Sequence, residues 1–277
     1  MIKRRAGAAS SSLPNLPEVE APDLEAARST LAERRGYDLV KTGIEGLDER
    51  IGGLLRGRTY LVTGETGTGK TLFSLTFLIK GIEMGEPGIY LLVDEEYEDF
   101  VKGAYDFGWD LEEYVRRGEL QVLTLMPEFI ERMRDKPAEV VVDSIVSGIR
   151  EHAVALNAKR LVIDPVAPLI VKEQDVAWTR EYIKSLIVNI EKRIGATSII
   201  VSEIPTGSQA LSRFGVEEFL AAGVFVLGLE RVGDEFKRTL FIRKMRWRPV
   251  PPEVYTFDIV SGKGVVVRGK LSRKTGS

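Results

Sequence analysis

Along this chain, short runs of β-branched and aliphatic residues alternate with longer stretches in which apolar residues return every third or fourth position. The short runs are Arg58 to Thr63, Gly88 to Val93, Glu119 to Leu125, Arg160 to Asp164 and Thr197 to Ser202. The helical spacing occupies Thr71 to Met84, Tyr97 to Phe107, Glu139 to Leu156 and Trp178 to Ile194. Such alternation predicts an α/β fold, a mostly parallel central sheet flanked by four crossover helices. After Gly223 the pattern changes to closely spaced runs at Val224 to Glu230, Lys237 to Arg243, Val254 to Ile259 and Gly264 to Arg268. Turn residues at Val232-Gly233-Asp234 and Ser261-Gly262 separate two of these pairs, so C-terminal antiparallel strands should extend the sheet as hairpins.

Before Tyr37 no such pattern holds. Residues 1–22 are rich in Ala, Ser and Pro and are expected to be disordered, with a short charged helix from Asp23 to Arg35. The expected organisation is therefore an N-terminal extension over 1–36, one domain over 37–271 and a flexible basic tail over 272–277. At 277 residues and 44% hydrophobic content the chain can bury one sizeable core. Lys80 interrupts the richest apolar stretch, Leu72 to Ile79, well short of the about 20 residues of a membrane span. The start is basic but has no apolar core of a signal peptide, and a soluble, cytoplasmic protein with no membrane partner is expected.

Composition removes several chemistries. Cysteine is absent and His152 is the single histidine, which excludes disulfides, the usual zinc ligand sets and histidine-activated nucleophiles. Beside Glu151 on a predicted helix, His152 reads as a surface residue. Amides are few and charged residues make up 29%, a thermophile-like balance. The formal charge of −2 argues against a general nucleic-acid coat, although basic clusters occur at Lys3, Arg4 and Arg5 and at Arg268, Lys270, Arg273 and Lys274. These are solvated tails or local partner contacts.

What remains is phosphate chemistry. Gly64-Glu65-Thr66-Gly67-Thr68-Gly69-Lys70-Thr71 follows a strand and opens a helix, the context a P-loop requires. There backbone N–H groups converge on phosphate oxygens, the helix N-terminus adds partial positive charge, Lys70 reaches the β- and γ-phosphates and Thr71 offers its hydroxyl to Mg²⁺. ATP and Mg²⁺ are the expected ligands. Arg160 to Asp164 is an apolar strand ending in a carboxylate, the pattern of a Walker B strand whose Asp supports Mg²⁺. Asp94-Glu95-Glu96 closes the strand after the P-loop helix, so Asp94 and Glu95 emerge at the edge where phosphates sit and are candidates to polarise the attacking water. The alternative is an acidic first helical turn, to which Glu98 and Asp99 belong.

Further motifs carry a family resemblance. Thr42-Gly-Ile-Glu-Gly-Leu-Asp48 with Gly52-Gly53, Asp94-Glu95 followed by Phe107-Gly-Trp-Asp110, Gly215-Val-Glu-Glu-Phe219, Lys244-Met-Arg246 and Phe257-Asp-Ile-Val-Ser-Gly-Lys-Gly264 together resemble the KaiC family of the RecA superfamily. The likeness runs from about Tyr37 to Leu271, and is strongest to archaeal single-domain KaiC-like proteins, also described as RadA paralogs. It implies a RecA-like P-loop NTPase core and a homo-oligomeric, usually hexameric, ring with ATP between subunits. It also implies that Lys244 and Arg246 reach the γ-phosphate of a neighbour's ATP in trans. Without the resemblance, the cluster Arg243, Lys244, Arg246 and Arg248 reads as a solvated strand edge.

Two positions depart from the family. Its paired glutamates fall at Asp94 and Glu95, so the first acid is one methylene shorter. Pro165 follows the Walker B Asp where the family commonly has Ser, and lacks a backbone N–H. In the loop from Ile204 to Gly215, Arg213 and Phe214 offer a cation and an aromatic face for single-stranded nucleic acid or packing at a subunit interface. Thr206, Ser208 and Ser212 do not form the family's adjacent phosphosite pair. The sequence thus predicts an ATP-hydrolysing motor or switch acting on nucleic acid or a protein partner. The alternatives are a non-hydrolysing assembly scaffold and a P-loop small-molecule kinase.

Overall fold

The structure is a computed structural model and describes residues 38–170, 176–208 and 210–271. The expectations for the 1–36 extension, the Asp23 to Arg35 helix and the 272–277 tail lie outside these residues.

A nine-stranded sheet forms the centre, in the order β11-β10-β9-β8-β3-β7-β6-β4-β5. Its parallel part contains β3 (Thr59–Gly64), β4 (Gly88–Leu92), β5 (Leu120–Thr124), β6 (Arg160–Asp164), β7 (Thr197–Glu203) and β8 (Gly223–Val232). The antiparallel part continues through β9 (Glu235–Met245), β10 (Val254–Val260) and β11 (Gly264–Lys270). A separate two-stranded ribbon joins β1 (Leu39–Val40) to β2 (Leu54–Leu55), with the single-turn helix α1 (Asp48–Ile51) between them in the chain.

The parallel strands read as continuous apolar runs because both faces are covered. Along β3, Tyr60 and Val62 face one apolar cluster while Leu61 faces the other, and Tyr90 and Leu92 alternate with Ile89 and Leu91 on β4 in the same way. The first face takes Phe73, Phe77 and Leu78 of α2 (Lys70–Glu83) and Phe100 and Ala104 of α3 (Tyr97–Asp106), with Leu111 of the short α4 (Leu111–Arg116). After α5 (Pro127–Met133), α6 (Ala138–Leu156) and α7 (Val176–Asn189) supply Val142, Ile145, Tyr182 and Leu186 to the second. Residues Ile190–Ile194 continue α7 as a π-helical segment.

The predicted α/β class, the parallel sheet and the C-terminal hairpins are all observed. Three details differ. The strand after Gly223 pairs in parallel with β3 as well as antiparallel with β9, so it belongs to both parts of the sheet. The helices α4 and α5 are too short to register as periodic stretches. His152 is half-buried, with its Nδ1 2.8 Å from Gln121 Nε2, rather than a free surface side chain.

Several family motifs turn out to be scaffolding. The Asp48 carboxylate accepts hydrogen bonds from the Thr42 N–H and hydroxyl and from the Gly43 N–H, closing the turn ahead of β2. Asp110 caps α4 by accepting from the Glu113 N–H at 2.9 Å, and Trp109 is buried under the hairpin that Gly262 ties to the Phe107 carbonyl.

Candidate nucleotide site

The carboxyl ends of β3, β4, β6 and β7 lie along one edge of the sheet, and the loop after β3 wraps back over that edge into α2. Gly64 is required by close approach, since a Cβ there would stand 2.4 Å from the Leu227 carbonyl oxygen. Gly69, at the mouth of α2, has φ of 101°, a left-handed conformation that a residue with a side chain would adopt only under strain. The loop and the start of α2 bound a cleft of about 410 Å³, lined also by Asp94, Glu95, Asp164, Pro165, Glu203, Arg238 and Ile259.

Within the cleft the predicted residues meet. The Thr71 hydroxyl donates to Asp164 Oδ2 at 2.8 Å, joining the P-loop helix to the end of β6. Tyr90 on the adjacent β4 donates its hydroxyl to the same oxygen at 2.6 Å. Lys70 is buried, and its Nζ donates to the Glu65 carbonyl at 3.0 Å, beside the Thr68 hydroxyl that donates to the same carbonyl. Glu65 Oε1 accepts from the Gly207 N–H at 3.2 Å, linking the loop to the segment after β7. Thr66 and Gly67 form the exposed rim.

The electrostatics follow from partial burial. Burial lowers the Lys70 amine below its ordinary value, opposed by Glu203 and Asp164. Burial raises Asp164, opposed by the hydrogen bonds from Tyr90 and Thr71. Asp94 and Glu95 keep solvent-exposed faces, but the cleft wall takes away part of their water and raises both. Glu203 adds to the shift at Asp94, and Asp164 and Asp99 add to it at Glu95. A divalent cation would relieve this crowding of carboxylates around one lysine.

Mg²⁺ fits the donor set. The ion prefers hard oxygen ligands and keeps several of its waters, so a hydroxyl and one carboxylate beside a phosphate suffice. Thr71 and Asp164 provide these, and among the described residues no cluster of three or more His, Cys, Asp or Glu forms a cage for another ion.

Lys244 and Arg246 do not join this cleft. On β9, Arg238 stands opposite Leu229, near the phosphate edge, whereas Lys244 stands opposite Val224 and Met245 opposite Gly223. Gly223 is level with Tyr60, at the beginning of β3. The strand runs away from the P-loop edge, carrying Lys244 about 20 Å beyond Arg238 at roughly 3.3 Å per residue. The Lys244 Nζ donates to the Glu218 and Phe219 carbonyls at 2.8 and 3.2 Å, and Arg246 donates to the Phe219 carbonyl. Lys244 and Arg248 are half-buried while Arg243 and Arg246 are exposed, so only part of this cluster is solvated.

Of the pair in the loop after β7, Arg213 is exposed but Phe214 packs against the second apolar cluster. Sequence reasoning missed Glu203, Tyr90, Arg238 and Ile259. Glu203 carries a signal, since it follows an apolar run as Asp164 does. Tyr90 sits inside an apolar strand, and Arg238 among other surface cations, so neither stands out.

The family model described as "ATPase: KaiC" matches residues 40–272. A UPF0273 protein of Pyrococcus horikoshii is 32% identical over 237 residues, covering 82% of this chain and 93% of its own length. The circadian clock oscillator protein KaiC of Parathermosynechococcus lividus is 34% identical over 238 residues, 84% of this chain but 43% of that protein, so the chain spans less than half of the clock protein. A crystal structure of a KaiC-like protein from Pyrococcus horikoshii superposes with a TM-score of 0.71 at 37% identity, covering 84% of this chain and all of the other.

Proposed function

This chain belongs to the KaiC ATPase family, and on that premise we propose that it binds MgATP on the Gly64 to Thr71 loop and hydrolyses it in a site that a neighbouring copy completes. The observation that carries the reading is the convergence of Lys70, Thr71, Asp164, Asp94 and Glu95 on one cleft at the carboxyl edge of the sheet.

In this reading the loop N–H groups and the N-terminus of α2 hold the β-phosphate, and Lys70 exchanges the Glu65 carbonyl for phosphate oxygen. Thr71 and Asp164 hold Mg²⁺, which neutralises charge on the β- and γ-phosphates when bound. Glu95 draws the proton from a water whose oxygen attacks the γ-phosphorus, while the bond to the β–γ bridging oxygen breaks and ADP leaves. Asp94 is the alternative base. Its shorter side chain holds the water farther away.

Lys244 and Arg246 would serve the neighbour's ATP, because the register of β9 puts them beyond reach of their own P-loop. Cations delivered across an interface stabilise the charge that develops on the transferring phosphoryl group. The ring implied by this arrangement would act as a switch or motor on a protein or nucleic-acid partner. With Phe214 packed, single-stranded nucleic acid would be met by the exposed Arg213 without an aromatic platform beside it.

The test is phosphate release from ATP with Mg²⁺, with and without single-stranded DNA. Lys70→Ala should abolish it while the chain stays folded, because the main cation at the phosphates is lost and the loop backbone is kept. Undiminished turnover in that variant would remove the P-loop from the mechanism.

A further inference from the structure

Glu217 is a fully buried carboxylate that the proposed chemistry does not use. Burying a carboxylate is costly unless its oxygens are hydrogen-bonded. Here Oε1 accepts from the Ser202 hydroxyl at 2.9 Å, and Oε2 accepts from the Val216 N–H at 3.1 Å and lies 2.7 Å from the Ser212 hydroxyl, whose one proton it shares with Glu218 Oε2. The Phe214 N–H adds a longer contact to Oε1. Ser202 and Ser212 are themselves fully buried, and Ser202 lies on β7 opposite Thr63, next to the P-loop strand's end.

Glu217 opens α8 (Glu217–Leu220), a helix of four residues. One turn cannot hold its own position, since nucleating a helix costs more than its few hydrogen bonds return. The carboxylate ties the start of α8 both to β7 and to the loop ahead of the helix, while Val216, Leu220 and Ala221 pack the segment against the second apolar cluster. The other end of α8 presents the Glu218 and Phe219 carbonyls, and these receive Lys244 Nζ and the Arg246 guanidinium. Long cationic side chains carry much rotamer freedom, and these two are oriented by the carbonyls they meet. The position of α8 thus sets the direction of both cations.

We propose that Glu217 is a positioning residue for the trans site: through α8 it aims Lys244 and Arg246 at the neighbouring subunit's nucleotide. The inference rests on the trans reading given above, and its signature is a defect that travels with the subunit lending the cations.

Glu217→Gln keeps the size of the side chain but turns an amide N–H₂ toward groups that now donate. The variant should bind ATP with unchanged affinity and release phosphate roughly tenfold to a hundredfold more slowly, the scale of a small misplacement of reacting groups. Co-assembled with Lys70→Ala it should regain activity, because its own P-loop is intact and the partner's cations are correctly held. Co-assembled with Arg246→Ala it should regain none, since neither subunit lends a working pair. Co-assembled Arg246→Ala and Lys70→Ala serve as the control. If that control recovers while Glu217→Gln fails with Lys70→Ala, or recovers with Arg246→Ala, the Glu217 proposal is overturned and the trans reading stands. If the control itself stays dead, the trans reading falls and takes this inference with it. Should Glu217→Gln not fold, Ser212→Ala removes one donor and leaves the carboxylate, and the same pairings apply. Wild-type turnover in every folded variant of the two also overturns the proposal.

Discussion

Asp94 and Glu95 differ by one methylene, and in the proposed mechanism that length would decide which carboxylate holds a water against a γ-phosphate bound by Lys70 and Thr71. Glu95→Gln should leave ATP affinity within a few-fold and lower turnover about a hundredfold, because a lost base weakens the chemical step more than binding. Asp94→Asn should cost less. Normal turnover in Glu95→Gln together with a dead Asp94→Asn would reverse the assignment within the pair. Lys244 gives a pH signature of its own. Burial and the adjacent Arg246 lower its pKa to about 8, against the opposing pull of Glu218. Its amine is charged below that value and neutral above it, so kcat/KM should fall as pH rises through about 8. Lys244→Arg keeps its charge at any accessible pH and should move that limb upward. A limb that stays in place would show that Lys244 does not carry it. The P-loop was legible residue by residue because its spacing and context are dictated by phosphate geometry. Tyr90 was not, since nothing in an apolar strand marks which tyrosine reaches a carboxylate seventy-four residues away.

At the scale of elements, α2 and β6 are pinned together by Arg160, whose side chain is fully buried. Its guanidinium donates to Glu86 and to the Thr42, Phe77 and Lys41 carbonyls, and its Cζ lies 4.4 Å from the Phe77 ring centroid. Gly81 on α2 makes room for it, since a Cβ there would stand 2.1 Å from Arg160 Nε. Alanine is the better helix former by about 1 kcal/mol, but displacing a buried, fully bonded cation costs on the order of 3 kcal/mol. The second effect wins, so Gly81→Ala should destabilise the fold and lower the midpoint of urea unfolding. A midpoint equal to or above that of the unsubstituted chain would refute this packing argument. The long elements were legible from periodicity because each buries an apolar stripe or an apolar run. The parallel pairing of β8 was not, because an apolar run looks the same in either direction. The course of the chain through residues 204–222 decides its sense.

At the scale of the whole molecule, the two ends of the sheet's strands carry different groups. The carboxyl edge gathers the Gly64 to Thr71 loop and the acids, and β9 places Lys244 near the far edge, with Arg246 one residue past the strand's end. A site divided in this way would need a second copy, either in a two-fold pair whose members complete each other or in a ring of heterologous contacts. Sequence pattern gave no hint of this division, since strand register alone separates Arg238 from Lys244, and the expectation came from the family resemblance. Among the described residues no helix is long and apolar enough to cross a membrane. The most direct test mixes Arg246→Ala and Lys70→Ala subunits, shows co-assembly by mass measurement in MgATP, and follows phosphate release. In randomly mixed rings roughly a quarter of the interfaces pair an intact P-loop with an intact arginine, so activity should rise toward that fraction of wild type. Each variant alone should be inactive, Arg246→Ala by about a thousandfold. Verified co-assembly with no recovered phosphate release, or a strictly monomeric wild type with full activity, would contradict a site completed by the neighbour.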